Sequence, residues 1–488
     1  MTYHLSKSRF LAGWQCHLQL YWRVHEPRAA ELEPPPDLQA VFDMGQRVGK
    51  RARAEFPGAV LIEVDHRHVG QAVAATRRAL AEGATAILEA SFLEDHVFVA
   101  VDALTKERGA FVLTEVKANL RPKPHHLPDA AIQAHVVERA GLPVGRVEIM
   151  HLNREHRHPN DGPLFARTDV TAEVAELRPR IETEIEAQLH MLKGPPPQIE
   201  PGDHCLSPHL CPFHERCHVP LPDHAIEELN GIRERQLEAL RDAGIETIHE
   251  IPSDFPLKPL HDRHRTAVQN DDIVVEPGLH EALESYAFPI AMLDFETIAP
   301  ALPVWEGCRP FQLVPVQFSV HTMHEDGTVT HRGYLAPSIT DPRPAVAAEL
   351  AEALRDSETI LAWNASFERR CLDTLAEASP PHAEALRRAR DKVHDLLPVV
   401  RAHLYHPDFR GSFSIKVVAA ALLPHLSYDG LEVRDGQAAS FVLERLLCWP
   451  HELGQDDCDR LRQALETYCT RDTEVMVALF RLLVDLSR

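Results

Sequence analysis

Two sets of residues in this sequence have the types and spacing that divalent-metal chemistry requires. The first set is Asp102, Glu115 and Lys117. Glu115 and Lys117 are two apart in an apolar run, so on a strand both side chains point to one face. Two carboxylates can hold a divalent ion that polarises a phosphodiester and acidifies a water, and an ammonium can neutralise charge in the transition state. The pattern indicates phosphodiester cleavage, although an isolated Glu-x-Lys on a strand is commonly just an exposed pair.

The second set is spread over the last third of the chain. Asp294 and Glu296 end an apolar run, and Glu368 begins a helical stretch. Tyr468 and Asp472 are four apart on a predicted helix and therefore lie on one side of it. Four carboxylates are what two divalent ions about 4 Å apart require. Each piece alone has a bland explanation, because Asp-x-Glu ends many strands, but their order argues against coincidence.

A third pattern is formed by thiols. Cys205, Cys211 and Cys217 recur at a six-residue step, and Cys16 lies far upstream. Four thiolates suit the soft iron of an iron–sulfur cluster. Buried, unreactive cysteines are the bland alternative. Zinc is another, with one of four nearby histidines as a ligand, although zinc sites usually have tighter cysteine spacing. These histidines are His204, His209, His214 and His218.

The periodicity around these residues predicts a mixed α/β protein. Helices are predicted at about 5–25, 38–56, 70–83 and 129–140. Strands are predicted at 86–92, 96–104, 109–117, 146–152 and 289–294, and residues 359–368 are predicted as a strand that runs into a helix. A short charged turn at Thr105–Gly109 would join two of the strands as a hairpin. That hairpin would bring Asp102 close to Glu115.

Length and composition limit the class of protein. A chain of 488 residues has room for about three domains. It shows no signal peptide and no membrane span, so we expect a cytoplasmic protein with reduced or metal-bound cysteines. The net charge of −22 argues against wholesale wrapping by nucleic acid, but not against a local basic groove. Gln46–Arg53 is one such basic cluster, or simply the solvated face of a helix.

The first set of residues resembles the RecB-type nucleases of the PD-(D/E)XK superfamily, in the iron–sulfur branch shared by CRISPR-associated RecB-like exonucleases and AddB. The resemblance implies that Asp102 and Glu115 bind metal, that Lys117 is catalytic and that Gln133 begins a Gln-x-x-x-Tyr motif. It also implies a 4Fe–4S cluster on Cys16, Cys205, Cys211 and Cys217. Val137 stands at the tyrosine position, and Gly49 stands where the family has a histidine ligand. Glu89 could supply the missing ligand or be an ordinary strand-edge residue.

The second set resembles the DnaQ-like exonucleases with a ribonuclease-H fold, in their tyrosine (DEDDy) variant, over residues 288–488. The resemblance implies four metal ligands, Asp294, Glu296, Glu368 and Asp472. Tyr468 would orient the attacking water. Two further positions match, with Asp395 as the mid-domain aspartate and Lys416 in a Ser/Leu-Lys segment. The third ligand is usually Asp, and Glu368 is one methylene longer.

Together these patterns predict three domains. They are a PD-(D/E)XK nuclease domain at 1–220, a small helical connector at 221–285 and a ribonuclease-H-like exonuclease domain at 286–488. The connector resembles a helix–hairpin–helix element, or is two small helices that pack between domains. The composite resembles a bacterial RecB-like family.

We therefore expect a nuclease that depends on Mg²⁺ or Mn²⁺ and trims DNA ends in repair or defence. The alternatives are a nucleic-acid-binding scaffold with inactive sites, or an exonuclease that processes RNA.

Overall fold

The computed structural model describes residues 5–64, 68–337 and 340–488. The protein is mixed α/β, and its chain forms two compact units. The first unit holds the described residues up to Val219 together with Ala301–Phe311. The second unit holds Pro220–Pro300 and Gln312–Arg488. The short segment Ala301–Phe311 thus belongs to the first unit, although in the chain it follows the first long strand of the second unit. No local sequence pattern predicted this assignment.

Strands alternate with helices along both units. The described strands are β1 (Leu5–Ser6), β2 (Val60–Leu61), β3 (Ala86–Glu94), β4 (Val97–Glu107), β5 (Ala110–Lys117), β6 (Val144–Leu152), β7 (Phe165–Asp169), β8 (Val274–Val275), β9 (Ile290–Ile298), β10 (Val314–Met323), β11 (Val329–Leu335), β12 (Thr359–Ala362), β13 (Val393–Asp395) and β14 (Leu404–Tyr405).

The described helices range from four to 32 residues. They are α1 (Lys7–Gln15), α2 (His17–His25), α3 (Pro36–Ala52), α4 (Val69–Ala81), α5 (His126–Arg139), α6 (Thr171–Met191), α7 (His214–Cys217), α8 (Glu234–Asp242), α9 (Pro259–Asn270), α10 (Leu279–Glu284), α11 (Arg343–Ala353), α12 (Ala365–Ala378), α13 (Ala383–Asp391), α14 (Leu396–His403), α15 (Ile415–Leu422), α16 (Gly436–Cys448) and α17 (Gln455–Leu486).

The first unit is built on a seven-stranded sheet with the order β2-β3-β4-β5-β6-β7, to which β1 adds beside β4. β1 pairs in parallel with Val97 and Phe98 at the start of β4. β5 pairs antiparallel with the end of β4, from Ala103 to Glu107. β4 and β5 therefore separate near Asp102, and β1 enters on the side that β5 has left. This fork is where the candidate residues of the first unit meet.

The hairpin between β4 and β5 was predicted from its charged turn, and it is confirmed in shortened form. The strands continue to Glu107 and resume at Ala110, so the turn is only Arg108-Gly109. Both residues have positive φ, 48° and 92°, which is the backbone of the two-residue turn that matches strand twist. The glycine adopts this conformation without the strain that a Cβ adds. The tight turn fixes the register that brings Asp102 and Glu115 to the fork.

The N-terminal helix predicted over 5–25 is instead a short strand and two helices. Leu5–Ser6 is β1, and Ser6 then caps α1 by accepting a hydrogen bond from Arg9 N at 3.3 Å. Cys16 is extended (φ −160°, ψ 122°) and separates α1 from α2. The apolar stripe continues across both helices, which is why periodicity alone predicted one element.

The second unit is built on a five-stranded sheet with the order β11-β10-β9-β12-β13. β9 is central, antiparallel to β10 and parallel to β12. Most of β9 is buried, as expected for a strand covered on both faces. The long helix α17 packs on β9 and β10. The predicted strand that begins at residue 289, the predicted strand-to-helix segment at 359–368 and the predicted helix around Asp472 are all confirmed.

Residues 221–285 form short helices that belong to the second unit. They share a core of seven buried side chains: Ile226, Leu229, Leu237, Leu240, Ile248, Ile251 and Val268. β8 pairs antiparallel with β14, which ties the segment to the rest of that unit. None of the helices described in residues 5–64, 68–337 and 340–488 has the length and apolar character needed to cross a membrane.

Candidate active sites

The fork of the first unit brings together all four predicted residues of the first site. Lys117 Nζ lies 2.7 Å from Glu115 Oε1, as expected for side chains two apart on one face of β5. Gln133 Nε2, on α5, donates to Glu115 Oε2 at 2.7 Å. Asp102 Oδ2 accepts the amide of Val116 at 2.6 Å, across the gap between the strands. Glu115, only 2% exposed, is the centre of this network.

Two residues of this first site were missed by sequence reasoning, Lys7 and Asp129. Lys117 Nζ donates to Asp129 Oδ2 at 2.5 Å, and Gln133 Nε2 donates to Asp129 Oδ1 at 2.9 Å. Lys7 Nζ is 3.0 Å from Glu115 Oε1 and 3.3 Å from Asp129 Oδ1. Asp129 could have been found, because it lies four residues before Gln133 on the same face of a predicted helix. Lys7 carries no such signal, since its position depends on the strand pairing of β1.

The charges of the first site hold its carboxyls in different states. Burial alone would raise the pKa of Glu115, but the ammonium groups of Lys117 and Lys7 hold it below its ordinary value. Burial, with the neighbouring charge of Glu115, raises the pKa of Asp102 to about 7. Glu115 is thus favoured as a carboxylate, whereas burial and the charge of Glu115 favour the protonated form of Asp102. Gln133 Oε1 is buried with no hydrogen-bond partner among the described residues.

These features fit a divalent ion at Asp102 and Glu115, because a divalent cation beside Asp102 would favour the ionised form of its carboxyl. Val137 and Gly49 stand where this chain departs from the family pattern, and Glu89 was the candidate for the missing ligand. Val137 is fully buried in the core of the first unit. Gly49, in α3, has open space where a side chain would begin. Glu89 has a positive φ of 56°, and its carboxylate accepts from Arg53 Nη2 at 3.0 Å. In this structure Glu89 pairs with an arginine.

The second unit brings all five predicted residues of the second site to one cleft. The five are Asp294, Glu296, Glu368, Tyr468 and Asp472, and the cleft also has aromatic walls at Trp363 and Phe367. β9 supplies the first two, α12 the third and α17 the last two. Asp395 helps to set the approach of α12, because its carboxylate accepts the amides of Asn364 and Ala365, each at 3.1 Å.

Three carboxyls of the second site, those of Glu296, Glu368 and Asp472, are buried, and that of Asp294 is partly buried. Burial, with the neighbouring charges of Asp472 and Glu296, raises the pKa of Asp294 well above its ordinary value. Burial and Asp472 do the same to Glu296, although Lys416 opposes the shift. Burial raises the pKa of Glu368 to about 8 and that of Asp472 to about 6. A cluster of this kind needs a cation to be fully ionised.

The donor atoms of the second site fit a divalent ion. Ligand atoms of Asp294, Glu296 and Cys469 all lie within 4.8 Å of one another. Glu368 Oε2 is buried and makes no hydrogen bond to the part of the chain that the structure describes. Two of these three donors are carboxylate oxygens, which suit Mg²⁺ or Mn²⁺, and the third is a thiol, which is a softer ligand.

Three further residues of the second site were not predicted as part of it from the sequence. Tyr428 donates a hydrogen bond to Asp472 Oδ1. Lys416 Nζ lies 5.0 Å from the ring centre of Tyr468 and 5.4 Å from that of Tyr428. Cys469 Sγ lies 3.8 Å from Asp294 Oδ2. Of these three residues, only Lys416 was noted from the sequence, because it lies in a stretch that resembles the Ser/Leu-Lys segment of the DnaQ-like exonucleases. Tyr428 reaches the site through a loop that has no periodic pattern.

The four cysteines of the third pattern line one cavity in the first unit, together with Trp22, His204 and His214. Each of these four described cysteines has a free thiol. Burial raises the pKa of Cys16 and Cys217, and the other thiols of the cavity add to the shift. Gln15 Nε2 donates to the carbonyls of His204 and His209, at 2.7 and 2.8 Å, and so ties α1 to the cysteine loop.

In the part of the chain that the structure describes, the four thiols are not as closely grouped as those of a four-thiolate zinc site. Tetrahedral zinc with Zn–S bonds of about 2.3 Å brings its sulfurs to within about 3.8 Å of one another. Among residues 5–64, 68–337 and 340–488, these cysteines are not in any set of three donor atoms within 4.8 Å. Four cysteines around one cavity are the number of ligands that an iron–sulfur cluster takes.

Comparisons with known proteins add one family match. A family profile described as a domain of unknown function, DUF2779, matches residues 291–414. That stretch contains Asp294, Glu296 and Glu368 but ends before Tyr468. The comparison with curated proteins gave no match.

Eight solved chains match, among them one titled "Crystal structure of SSO0001". It has 11% identity and a TM-score of 0.26, and the match covers 45% of this chain and 88% of that one. A TM-score this low defines neither fold nor function.

Proposed function

We propose that the protein is a metal-dependent nuclease with two active sites, one in each unit. The observation that carries the proposal is the second cleft. There, four carboxyls from β9, α12 and α17 converge beside a tyrosine, in the chain order expected of a DEDDy exonuclease. Raised pKa values at all four carboxyls support cation binding. The proposed substrate is DNA, cleaved from an end, with RNA as the alternative.

In the second site, Asp294, Glu296, Glu368 and Asp472 would hold the metal ions. Bound divalent ions would supply an acidified water and stabilise charge on the leaving oxygen. The hydroxyl of Tyr468 would orient the water. Tyr428 holds Asp472 by a hydrogen bond to Oδ1. The positive charge of Lys416 beside both rings favours negative charge in the cleft.

In the first site, Asp102 and Glu115 would hold a metal ion and Lys117 would neutralise charge on the reacting phosphate. Gln133 orients Glu115 through its hydrogen bond to Oε2. The forked strands and the hairpin support the expectation of a PD-(D/E)XK domain. The central position of β9 supports that of a ribonuclease-H-like domain in the second unit.

The cysteine cavity would hold a 4Fe–4S cluster on Cys16, Cys205, Cys211 and Cys217. We propose a structural role for the cluster, because Asp102, Glu115 and Lys117 do not line the cavity. It would join the start of the first unit to its end. A brown colour and iron content in anaerobically purified protein would support the cluster, whereas zinc in a colourless sample would contradict it.

End-labelled oligonucleotides test the proposed activity. With Mn²⁺, we expect the protein to shorten them, Glu368→Gln to remove one polarity of digestion, and Glu115→Gln to remove the other. Glu377→Gln is the matched control for the second site, because Glu377 is an exposed residue on the same helix as Glu368. Digestion that is unchanged in both site variants would contradict the assignment.

A second candidate function applies to the first site alone. Its carboxylates are already paired with Lys7 and Lys117, and Val137 replaces the family's tyrosine. These observations favour a first site that binds nucleic acid without cutting it. In that case Glu115→Gln would leave all digestion unchanged, while the second-site variant Glu368→Gln would abolish it.

A further inference from the structure

The first site contains two ammonium groups where the sequence predicted one. Lys117 and Lys7 both contact Glu115 Oε1, at 2.7 and 3.0 Å. Both also contact Asp129, Lys117 at Oδ2 (2.5 Å) and Lys7 at Oδ1 (3.3 Å). Each lysine therefore bridges the same two buried carboxylates. Glu115 and Asp129 have their charge balanced by groups of the chain itself.

The fold puts Lys7 at this position through two local features. Lys7 is the first residue of α1, directly after β1, and β1 lies beside β4 at the fork. The Lys7 side chain is 27% exposed, whereas that of its partner Glu115 is 2% exposed. Lys117, by contrast, is fixed by its own strand. Lys7 is thus the bridging cation that lies on a different element from Glu115, at the start of α1.

We propose that Lys7 is the resident cation of the first site, which holds Glu115 and Asp129 together and competes with a divalent ion for Glu115. The proposal rests on the proposed function of this site, in which Glu115 is a metal ligand. The physical reason is repulsion between like charges. A dication that approaches Glu115 must displace Lys7 or bind close to it. Lys7 acts through Glu115 and is therefore a positioning residue.

The test measures Mn²⁺ binding directly, from the electron paramagnetic resonance signal of free Mn²⁺. The background is Asp294→Asn/Glu296→Gln, so that the second site contributes little. We expect Lys7→Met to bind Mn²⁺ at the first site about tenfold more tightly, because one competing charge has been removed. Lys7→Arg keeps the charge and should stay close to the parent. Lys106→Met, a change at an exposed lysine on β4, is the matched control and should have no effect.

The outcomes separate this proposal from the proposed function. A Lys7 that only supports the fold would give the opposite result in Lys7→Met, weaker Mn²⁺ binding and a lower Tm. Equal Mn²⁺ affinity in the parent and Lys7→Met would overturn the role of Lys7 and leave the metal site standing. An absence of first-site binding in every variant would overturn both. As a second readout, we expect Lys7→Met to need less Mn²⁺ for half-maximal cleavage by the first site.

Discussion

A single hydrogen bond joins Tyr428 to Asp472 in the second site. We expect Tyr428→Phe to slow second-site cleavage about tenfold or more, since small displacements of a catalytic group are costly. Loss of the bond should also lower stability by about 1–2 kcal/mol. Cleavage of end-labelled oligonucleotides and thermal unfolding would measure the two effects.

Tyr405→Phe is the control for this prediction. Tyr405 is buried, and its hydroxyl accepts the amide of Gly411 at 2.9 Å, away from the carboxyls. The control should lose similar stability and keep full cleavage. Equal cleavage by both variants would contradict a role for Tyr428 at Asp472.

The raised pKa values of Glu368 (about 8) and Asp472 (about 6) make metal binding depend on pH. The folded state holds these protons more tightly than the unfolded chain does. Their contribution to stability is therefore fully present below the ordinary carboxyl pKa and is lost as pH rises through the folded values. A divalent ion must displace the protons, so its stabilising effect grows over the same range.

We therefore expect saturating Mn²⁺ to raise Tm more at pH 8 than at pH 6. Comparing samples with and without metal at each pH cancels the titration of histidines elsewhere. In the variant Asp294→Asn/Glu296→Gln, the metal-induced increase in Tm should still be larger at pH 8 than at pH 6, but only by the contribution of Asp102, whose pKa is about 7. The same increase in Tm at both pH values would contradict the interpretation that the metal displaces protons from carboxyls with raised pKa values.

At the scale of elements, the turn between β12 and α12 positions Glu368. Asp395 accepts the amides of Asn364, Ala365 and Leu397, each at 3.1 Å, and so caps the start of both α12 and α14. We expect Asp395→Ala to cost about 1 kcal/mol or more and to slow second-site cleavage, while first-site cleavage stays unchanged.

Asp169→Ala is the matched control for this element. Asp169 accepts the amide of Thr171 at 2.9 Å, where α6 begins in the first unit. The control should lose comparable stability without slowing the second site. If both variants slow cleavage equally, the effect of Asp395 is general loss of stability and not displacement of Glu368.

The elements that carry the predicted residues could be found from sequence because their patterns are local. Glu115 and Lys117 lie on an alternating strand, and Tyr468 and Asp472 lie on one face of a helix. The contribution of Lys7 could not be found, because β1 is only two residues long and forms by pairing with residues 92 positions later. Cys16 was assigned to the interior of a helix because the apolar stripe continues on both sides of it, although its backbone is extended.

At the scale of the whole molecule, the first unit includes a segment from far along the chain. Gly307 N donates to His158 O, and His158 N donates to Cys308 O, both at 2.9 Å. Ala301 shares a core cluster with Met150 and Leu152. The boundary predicted at residue 220 therefore removes part of the first unit's core, which sequence periodicity could not reveal.

We expect a fragment of residues 1–220 to unfold at a lower temperature than the first unit does in the full chain. It should also bind a dye specific for exposed apolar surface. A peptide of residues 301–311 should raise its Tm, and a scrambled peptide of the same composition should not. If the fragment alone unfolds at the same temperature as the first unit does in the full chain, residues 301–311 do not contribute to the stability of that unit.

Helix α1 carries Lys7 at its first position and leads directly into Cys16. Its nine residues span only about 13 Å. One short helix therefore joins the cysteine loop, through the hydrogen bonds of Gln15, to the strand fork, through the ion pair of Lys7 with Glu115.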